Sequence, residues 1–295
     1  MPRLAFNLTL LLVLISACSS PASLSGEVDP VILTSTALLA DIARNLADDR
    51  VKIESLLPIG ADPHSYQPTP QDIAKIETSK LLIVNGMGYE QFLAPLVQNA
   101  SGAREVVEAA AGISPRKDAN GIDPHVWLDP NNVVVYVENI REALTHFDPD
   151  GAAEYQVNAD AYVTELKRLD EWINEQVLQI PPKRKLLITN HESLGYFADR
   201  YGFTVVGAAI QSFSSDASPS AGQIALLIDQ IKSGGAPAIF LDAADNATLA
   251  GQIADETGVR VVADLHLESL TDGAPAANYI EMMKHNVTQI VAALK

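Results

Sequence analysis

The sequence predicts an α/β fold with two lobes, each built on a mainly parallel sheet flanked by helices. Three observations support this. The chain has 295 residues, more than one typical domain of about 100–200 residues. Short β-type runs alternate with amphipathic helical runs from Val31 onwards, which is typical of parallel sheets with helical crossovers. A long stretch without helix breakers divides this alternation into two halves of similar build.

The first half contains four predicted strands and four predicted helices. The apolar run at 81–84 is typical of a buried parallel strand, and Pro70 is well placed to open a helix. A loop rich in Gly, Pro, Asp and Asn spans 112–123. The predicted strands are 31–34, 51–57, 81–84 and 105–109, and the predicted helices lie at about 38–46, 70–79, 89–99 and 131–147.

The stretch 150–179 predicts one helix, because its apolar residues recur at helical spacing. A helix of about 28 residues is roughly 40 Å long. It is either a spine between two lobes or an ordinary surface helix, and its pattern is compatible with both. Its apolar stripe is Tyr162, Leu166, Leu169, Ile173 and Val177.

The second half repeats the alternation after Pro181 and Pro182. We find no residue-level repeat between the halves that would indicate duplication. The predicted strands are 185–189, 203–206, 238–241 and 260–262, and the predicted helices are 194–201, 220–232, 247–257 and 279–294.

The N-terminal segment predicts secretion and a lipid anchor. Residues 1–17 contain Arg3 and then an apolar stretch from 8 to 15, which is too short for a membrane span and typical of a signal peptide. The following Cys18 lies in a pattern similar to a bacterial lipoprotein box, so we expect lipid on its sulfur. Residues 18–29 are rich in Ser, Pro, Ala and Gly and predict a lipidated, flexible tether. The folded body is therefore expected to be extracytoplasmic, anchored to a bacterial membrane.

Charge and cysteine content exclude several partners and sites. The net charge is −17 and the pI is near 4.6, so nucleic acid and anionic membrane surfaces are disfavoured as partners. Cys18 is the single cysteine, which rules out an intramolecular disulfide and a metal site built from cysteines.

Three histidines are candidate metal ligands. The triplet Asp62-Pro63-His64 is repeated as Asp123-Pro124-His125, and His191 follows the apolar run at 185–189. Proline restricts the backbone, so each triplet presents its imidazole from a stiff loop. Any one of these histidines could be a surface residue. Their shared placement beyond apolar segments, where ligand groups gather in parallel sheets, favours a metal site.

At these residues the chain resembles the extracytoplasmic solute-binding proteins of zinc and manganese ABC importers, the group called cluster A-I. Four motifs in the right order carry the resemblance, which covers nearly everything after the tether. They are DPHSYQPTP at 62–70, DPHVWLDP at 123–130, His191 with GYFADRYG at 195–202, and ESL at 268–270 with YIEMMKHN at 279–286.

The resemblance implies two lobes joined by a rigid long helix, with one metal held between them by four side chains. We therefore expect an N-terminal metal-binding lobe at 30–149, a linking helix at 150–180 and a C-terminal metal-binding lobe at 181–295. His64, His125 and His191 match the first three ligands, and Glu268 stands where the family commonly has Asp. Asp264 and His266 are close enough in sequence to compete for that fourth role. The implied partners are an ABC permease and its ATPase, and the protein is expected to be a monomer.

Three imidazoles and one carboxylate describe a filled tetrahedral zinc site, and nitrogen-rich ligation disfavours manganese. We therefore expect Zn²⁺ as the transported ligand, with Mn²⁺ as the alternative. The segment 112–123 lacks the histidine-rich loop that many zinc-specific relatives carry. Because ligating imidazoles must be neutral, affinity should fall as pH drops through about 6.5.

Two other functions are compatible with the same residues. A zinc hydrolase would need a free coordination position and a general base, for which Glu192 and Glu268 are candidates. A surface adhesin would use the fold to bind a protein. Among the neighbours of the histidines, Asp123, Asp129 and Asn190 could orient the rings, although the two aspartates could equally cap turns or a helix. Trp127 and Tyr66 are expected to pack around the site, and His146 and His285 to be surface or packing residues.

Overall fold

A computed structural model describes residues 31–245 and 247–295. The predicted signal peptide at 1–17 and the tether at 18–29 with Cys18 lie outside the described residues. Among the described residues, no helix is both long and apolar enough to cross a bilayer.

The N-terminal lobe contains the strands β1 (Val31–Thr34), β2 (Lys52–Ser55), β3 (Ser79–Val84) and β4 (Glu105–Glu108). Its helices are α1 (Ala37–Ala47), α2 (Pro70–Thr78), α3 (Leu93–Asn99) and α4 (Pro130–Phe147). The strands form a fully parallel sheet with the order β2-β1-β3-β4. Helix starts follow local sequence signals: Thr36 accepts a hydrogen bond from the Leu39 N–H at the start of α1, and Pro70 occupies the first turn of α2.

A small antiparallel ribbon interrupts the segment predicted as a loop. It pairs β5 (Lys117–Asp118) with β6 (Gly121–Ile122). A two-residue strand is too short to show the alternation of apolar and polar residues by which strands are recognised. The hydrophobic pattern therefore could not reveal it.

Helix α5 (Ala152–Val177) is 26 residues long. All five residues of its apolar stripe are at most 5% exposed, and it packs against α1 and α4. One face of α5 is therefore buried against helices of the molecule, while its opposite face is exposed to solvent.

The C-terminal lobe contains the strands β7 (Leu186–His191), β8 (Thr204–Ile210), β9 (Ala238–Asp242) and β10 (Arg260–Leu265). Its helices are α6 (Gly195–Tyr201), α7 (Ala221–Gly234), α8 (Ala247–Thr257) and α9 (Tyr279–Leu294). The strands form a parallel sheet with the order β10-β9-β7-β8. Strand β7 continues two residues beyond the predicted end at 189. The apolar pattern could not show this, because Asn190 and His191 are buried but polar.

The two halves share one hydrophobic core. It contains Ile32 and Ile83 from the first sheet, Phe240 from the second sheet, and Leu166 from α5. Helix α9 packs against both α5 and β10. The two lobes are thus held together through α5 and α9.

Candidate metal centre

His64 lies in the loop between β2 and α2, and its backbone is fixed by the aspartate two residues earlier. The Asp62 carboxylate accepts a hydrogen bond from the His64 N–H at 2.8 Å and another from the Ser65 hydroxyl at 2.9 Å. The His64 side chain is only 3% exposed. The Asp-Pro-His triplet therefore presents its ring inward from an ordered loop.

His125 is held in the same way in the second triplet. Asp123 Oδ1 accepts a hydrogen bond from the His125 N–H at 3.0 Å and lies 2.9 Å from the ring Nδ1. The ring is fully buried. This contact leaves Nε2 of His125 as the nitrogen that is free to bind a metal.

The C-terminal lobe contributes His191 and Glu268. His191 is the last residue of β7, at the carboxyl end of the sheet. Glu268 follows β10, and its backbone is positioned by Asp242 at the end of β9, which accepts hydrogen bonds from the N–H groups of Leu267 and Glu268. The C-terminal lobe therefore supplies both side chains from the carboxyl ends of its strands, whereas His64 and His125 lie in loops of the N-terminal lobe.

The four side chains meet at one point. The Nε2 atom of His125 lies 3.4 Å from Nε2 of His64 and 3.4 Å from Nε2 of His191. Glu268 Oε1 lies 2.9 Å from Nε2 of His191 and 3.2 Å from Nε2 of His125. All four potential ligand atoms lie within 4.8 Å of one another.

Each charged side chain at this point shifts the pKa of its neighbours. Burial alone would raise the pKa of Glu268, but His64 and His125 hold it well below its usual range. Burial alone would lower the pKa of His125, but Glu268 and Asp123 outweigh it and raise the pKa to about 9. The carboxylate is thus ionised, and His125 carries a proton that a metal ion would have to displace.

Tyr89 contacts the carboxylate and was not identified from the sequence. Its hydroxyl donates a 2.6 Å hydrogen bond to Glu268 Oε2, and burial raises its pKa well above the usual value. Tyr89 follows the end of β3 in a turn where Gly86 has a φ of +86°. Tyr89 thus lies beyond the end of a strand, which is the placement that made the histidines candidates. A search for polar side chains beyond every predicted strand would have identified Tyr89.

Asp245 is a second residue that sequence reasoning missed. Its Oδ1 lies 4.0 Å from Nδ1 of His191 and accepts a 2.8 Å hydrogen bond from Asn190. Asn190 therefore contacts the site through Asp245, whereas Asp123 contacts an imidazole directly. Asp129 instead caps α4, where it accepts a hydrogen bond from the Asn131 N–H at 2.9 Å.

The other candidates lie elsewhere. Asp264 and His266 belong to a separate cluster that includes His285. The Tyr66 hydroxyl donates to Asp72, and the His146 ring pairs with Glu105. Trp127 does adjoin the site, with its ring 5.5 Å from that of His125 and its Nε1 donating to the Leu267 carbonyl.

The hydrolase hypothesis depended on Glu192 or Glu268 as a general base. The Glu192 carboxylate accepts a hydrogen bond from Asn120 at 2.9 Å. Glu268 instead lies among the three imidazoles. A four-ligand set of this kind fills a tetrahedral shell and leaves no position for a metal-bound water.

The chain matches a described protein family over nearly all of its folded part. The family described as zinc-uptake complex component A, periplasmic (ZnuA), matches residues 32–293. The manganese-binding lipoprotein MntA of Halalkalibacterium halodurans is 34% identical over 301 residues, covering 100% of this chain and 99% of that protein. The iron-binding protein YfeA of Yersinia pestis is 32% identical over 265 residues, covering 88% of this chain and 84% of that protein.

Solved structures show the same architecture. The Mn-bound periplasmic metal binding protein from Candidatus Liberibacter asiaticus has a TM-score of 0.81 at 28% identity, over 90% of this chain and 100% of that chain. The periplasmic zinc binding protein TroA from Treponema pallidum has a TM-score of 0.84 at 27% identity, over 90% of this chain and 99% of that chain. The predicted α/β fold with two parallel-sheet lobes is confirmed.

Proposed function

The chain belongs to the ZnuA family of metal-binding subunits of ABC importers, and from this premise we propose that it captures Zn²⁺ between its two lobes and delivers it to a membrane permease. Members of this family are solute-binding proteins that act with a permease and an ATPase, and they are not enzymes. The protein is therefore a divalent-metal-binding importer subunit, and its selectivity for zinc is the proposed part.

The observation that carries the proposal is the convergence of His64, His125, His191 and Glu268 on one buried point. Each lobe contributes two of these residues, so a bound ion would hold the lobes together. Three nitrogens and one oxygen suit Zn²⁺ in a tetrahedral shell. Zn²⁺ also stands above Mn²⁺ in the usual order of affinities.

Manganese is the second candidate, because several relatives carry it in their names. Besides MntA, a streptococcal relative is named manganese ABC transporter substrate-binding lipoprotein PsaA, at 28% identity over 94% of this chain. The donor set favours zinc, whereas these names favour manganese. A direct competition between the two ions distinguishes the candidates.

The proposal extends to the anchoring of the protein. Residues 1–17 would be removed as a signal peptide, Cys18 would carry lipid, and 18–29 would tether the lobes at 30–149 and 181–295 with their linking helix at 150–180. The protein would act as a monomer outside the cytoplasmic membrane. Mass spectrometry of protein extracted from the membrane tests this, since an unmodified Cys18 would contradict it.

Metal titration of the purified protein tests the metal site. We expect one tightly bound Zn²⁺ per chain and weaker Mn²⁺ binding, measured by competition with a chelator. Substitution of a residue that only contacts a metal ligand typically lowers affinity about 10–100-fold. His64→Ala removes a proposed ligand, so it should lower zinc affinity by more than this. His146→Ala, which removes a ring that is 77% exposed in α4, is the control and should leave affinity unchanged.

Two outcomes of this titration would contradict the proposal in different ways. Tighter binding of Mn²⁺ than of Zn²⁺ would replace zinc by manganese as the transported ion. Unchanged zinc affinity in His64→Ala would overturn the site itself. Uptake of radioactive zinc by cells that lack the gene, complemented with the wild type or with His64→Ala, then tests the transport role.

A further inference from the structure

A second group of metal-binding side chains lies where β10 meets α9. It consists of Asp264, His266 and His285, whose potential ligand atoms lie within 4.8 Å of one another. Asp264 and His266 flank Leu265, whose side chain is fully buried. Because successive side chains of an extended chain point to opposite sides, Asp264 and His266 share the side away from the core.

His285 lies on α9 and contacts this group. Hydrogen bonds with the neighbouring residue of α9 hold the main chain directly after β10 at this contact. The adjacent Asn286 is buried, accepts a hydrogen bond from the His266 N–H at 2.8 Å and donates one to the His266 carbonyl at 2.7 Å. The rings of His266 and His285 have centroids 5.4 Å apart. The two imidazoles are thus held side by side by the fold.

The nitrogen atoms of the two rings differ in their partners. Nε2 of His285 lies 2.6 Å from the Asp264 carbonyl oxygen and 3.4 Å from the Asp264 carboxylate oxygen Oδ2. Nε2 of His266 is buried and has no hydrogen-bond partner among the described residues. A buried polar atom without a partner calls for an explanation, and a bound ion is one.

From this arrangement we propose that Asp264, His266 and His285 form a second metal site for a divalent transition cation. Two imidazoles and one carboxylate suit Zn²⁺, Cu²⁺ or Ni²⁺ better than Mn²⁺. The Asp264 side chain is 63% exposed, so the ion would enter directly from solvent and keep water in its remaining positions. With three protein ligands and this exposure, the site binds more weakly than the buried four-ligand centre.

The site would join β10 to α9 and is distinct from the centre proposed for transport. It uses none of the four residues of that centre. Its occupancy therefore adds one equivalent of metal per chain, which transport-deficient variants of the first centre should retain.

Equilibrium dialysis of the full chain against Zn²⁺ tests the second site. We expect two equivalents in the wild type, of which the second binds more weakly. His285→Gln and Asp264→Asn should each bind only the tight equivalent. His146→Gln is the matched control, because His146 pairs with a single glutamate on the surface, and it should keep both equivalents. Circular dichroism with EDTA checks that the variants fold, and the exposed Asp264 makes Asp264→Asn the variant least able to disturb packing.

A variant that lacks the first metal centre distinguishes the failure of one proposal from the failure of the other. In the double variant His64→Ala, His191→Ala we expect only the weaker equivalent, and adding His285→Gln should remove it. Bound Cu²⁺ in the double variant should show two nitrogen ligands by electron paramagnetic resonance. Saturation of the wild type at one equivalent, or two equivalents in Asp264→Asn and His285→Gln, would overturn the second site. Retention of the tight equivalent in the double variant would instead overturn the first centre.

Discussion

The His125 ring is fully buried between two carboxylates, and this placement decides its protonation. Asp123 lies 2.9 Å from its Nδ1, and Glu268 lies 3.2 Å from its Nε2. These charges overcome the effect of burial and raise the pKa of His125 to about 9. An ordinary histidine would begin to lose metal affinity as the pH falls through about 6.5. The raised pKa of His125 moves this loss of affinity to a higher pH.

We predict that zinc binding at pH 7.5 releases about one proton per chain, because the metal must displace the His125 proton. Affinity should rise about tenfold per pH unit up to about pH 9 and then level off. Calorimetry in buffers of different ionisation enthalpy measures the released proton. Binding without proton release would contradict the raised pKa.

The same pKa has a consequence for the metal-free fold. Its rise from 6.5 to about 9 means that the folded chain holds this proton more tightly than the unfolded chain does. The resulting stabilisation is fully present below pH 6.5 and is lost as the pH rises through about 9. Thermal unfolding in EDTA across this range is the corresponding measurement.

Tyr89 positions Glu268 through one short hydrogen bond of 2.6 Å. We predict that Tyr89→Phe lowers zinc affinity by about 10–100-fold, because outer-shell partners of metal ligands contribute this much. Tyr66→Phe is a matched control, since its hydroxyl bonds to Asp72 at the start of α2. If chelator competition gave the same affinity for both variants, Tyr89 would have no role in positioning the carboxylate.

At the scale of elements, α5 connects the lobes through its buried face. Leu166 is fully buried in the core shared by both sheets. Asp170 on the same helix accepts hydrogen bonds from Arg200 and Tyr201 near the end of α6. The helix is therefore fixed to both halves by packing and by charged hydrogen bonds.

We predict that Leu166→Ala lowers the free energy of unfolding by about 2–5 kcal/mol, as expected for a leucine truncated in a packed core. Leu178→Ala, at a position 79% exposed beyond the end of α5, should change it by less than about 0.5 kcal/mol. Denaturant unfolding in EDTA measures both values. Equal effects of the two substitutions would mean that the stripe of α5 is not packed as described.

At the scale of the whole molecule, polar contacts close the cleft over the metal centre. The Ser215 hydroxyl of the C-terminal lobe donates to Asp62 at 2.7 Å, and the Gly60 N–H donates to Ser269 at 2.8 Å. The Asn120 side-chain amide of the N-terminal lobe also donates a hydrogen bond to the Glu192 carboxylate of the C-terminal lobe, at 2.9 Å. If the metal binds between the lobes as proposed, its release would require such contacts to break.

We predict that Ser215→Ala speeds the dissociation of zinc about fivefold, because one hydrogen bond contributes about 1 kcal/mol. Ser65→Ala removes a hydrogen bond to the same Asp62 oxygen from within the N-terminal lobe and serves as the control. Stopped-flow transfer of zinc to a chelator measures both rates. A similar rate change in the two variants would show that closure between the lobes does not depend on Ser215.

The sequence by itself determined the elements and the identity of the ligand candidates. Apolar periodicity located the major strands and helices, since it follows directly from which face of each element is buried. The repeated Asp-Pro-His triplets and His191 stood out because their residue types and their placement after strands are visible locally. Glu268 was a candidate only through its family position, with Asp264 and His266 as alternatives.

Only the tertiary structure decided which of these residues meet. Asp264 and His266 are near Glu268 in sequence, yet they join His285 in a separate cluster. Tyr89 and Asp245 contact the site from other strand ends, and the raised pKa of His125 depends on a carboxylate from the other lobe. Local patterns record which face of an element is buried. Distances between side chains far apart in the chain, and the electrostatic energies that depend on them, are set by the packing of the two lobes around α5.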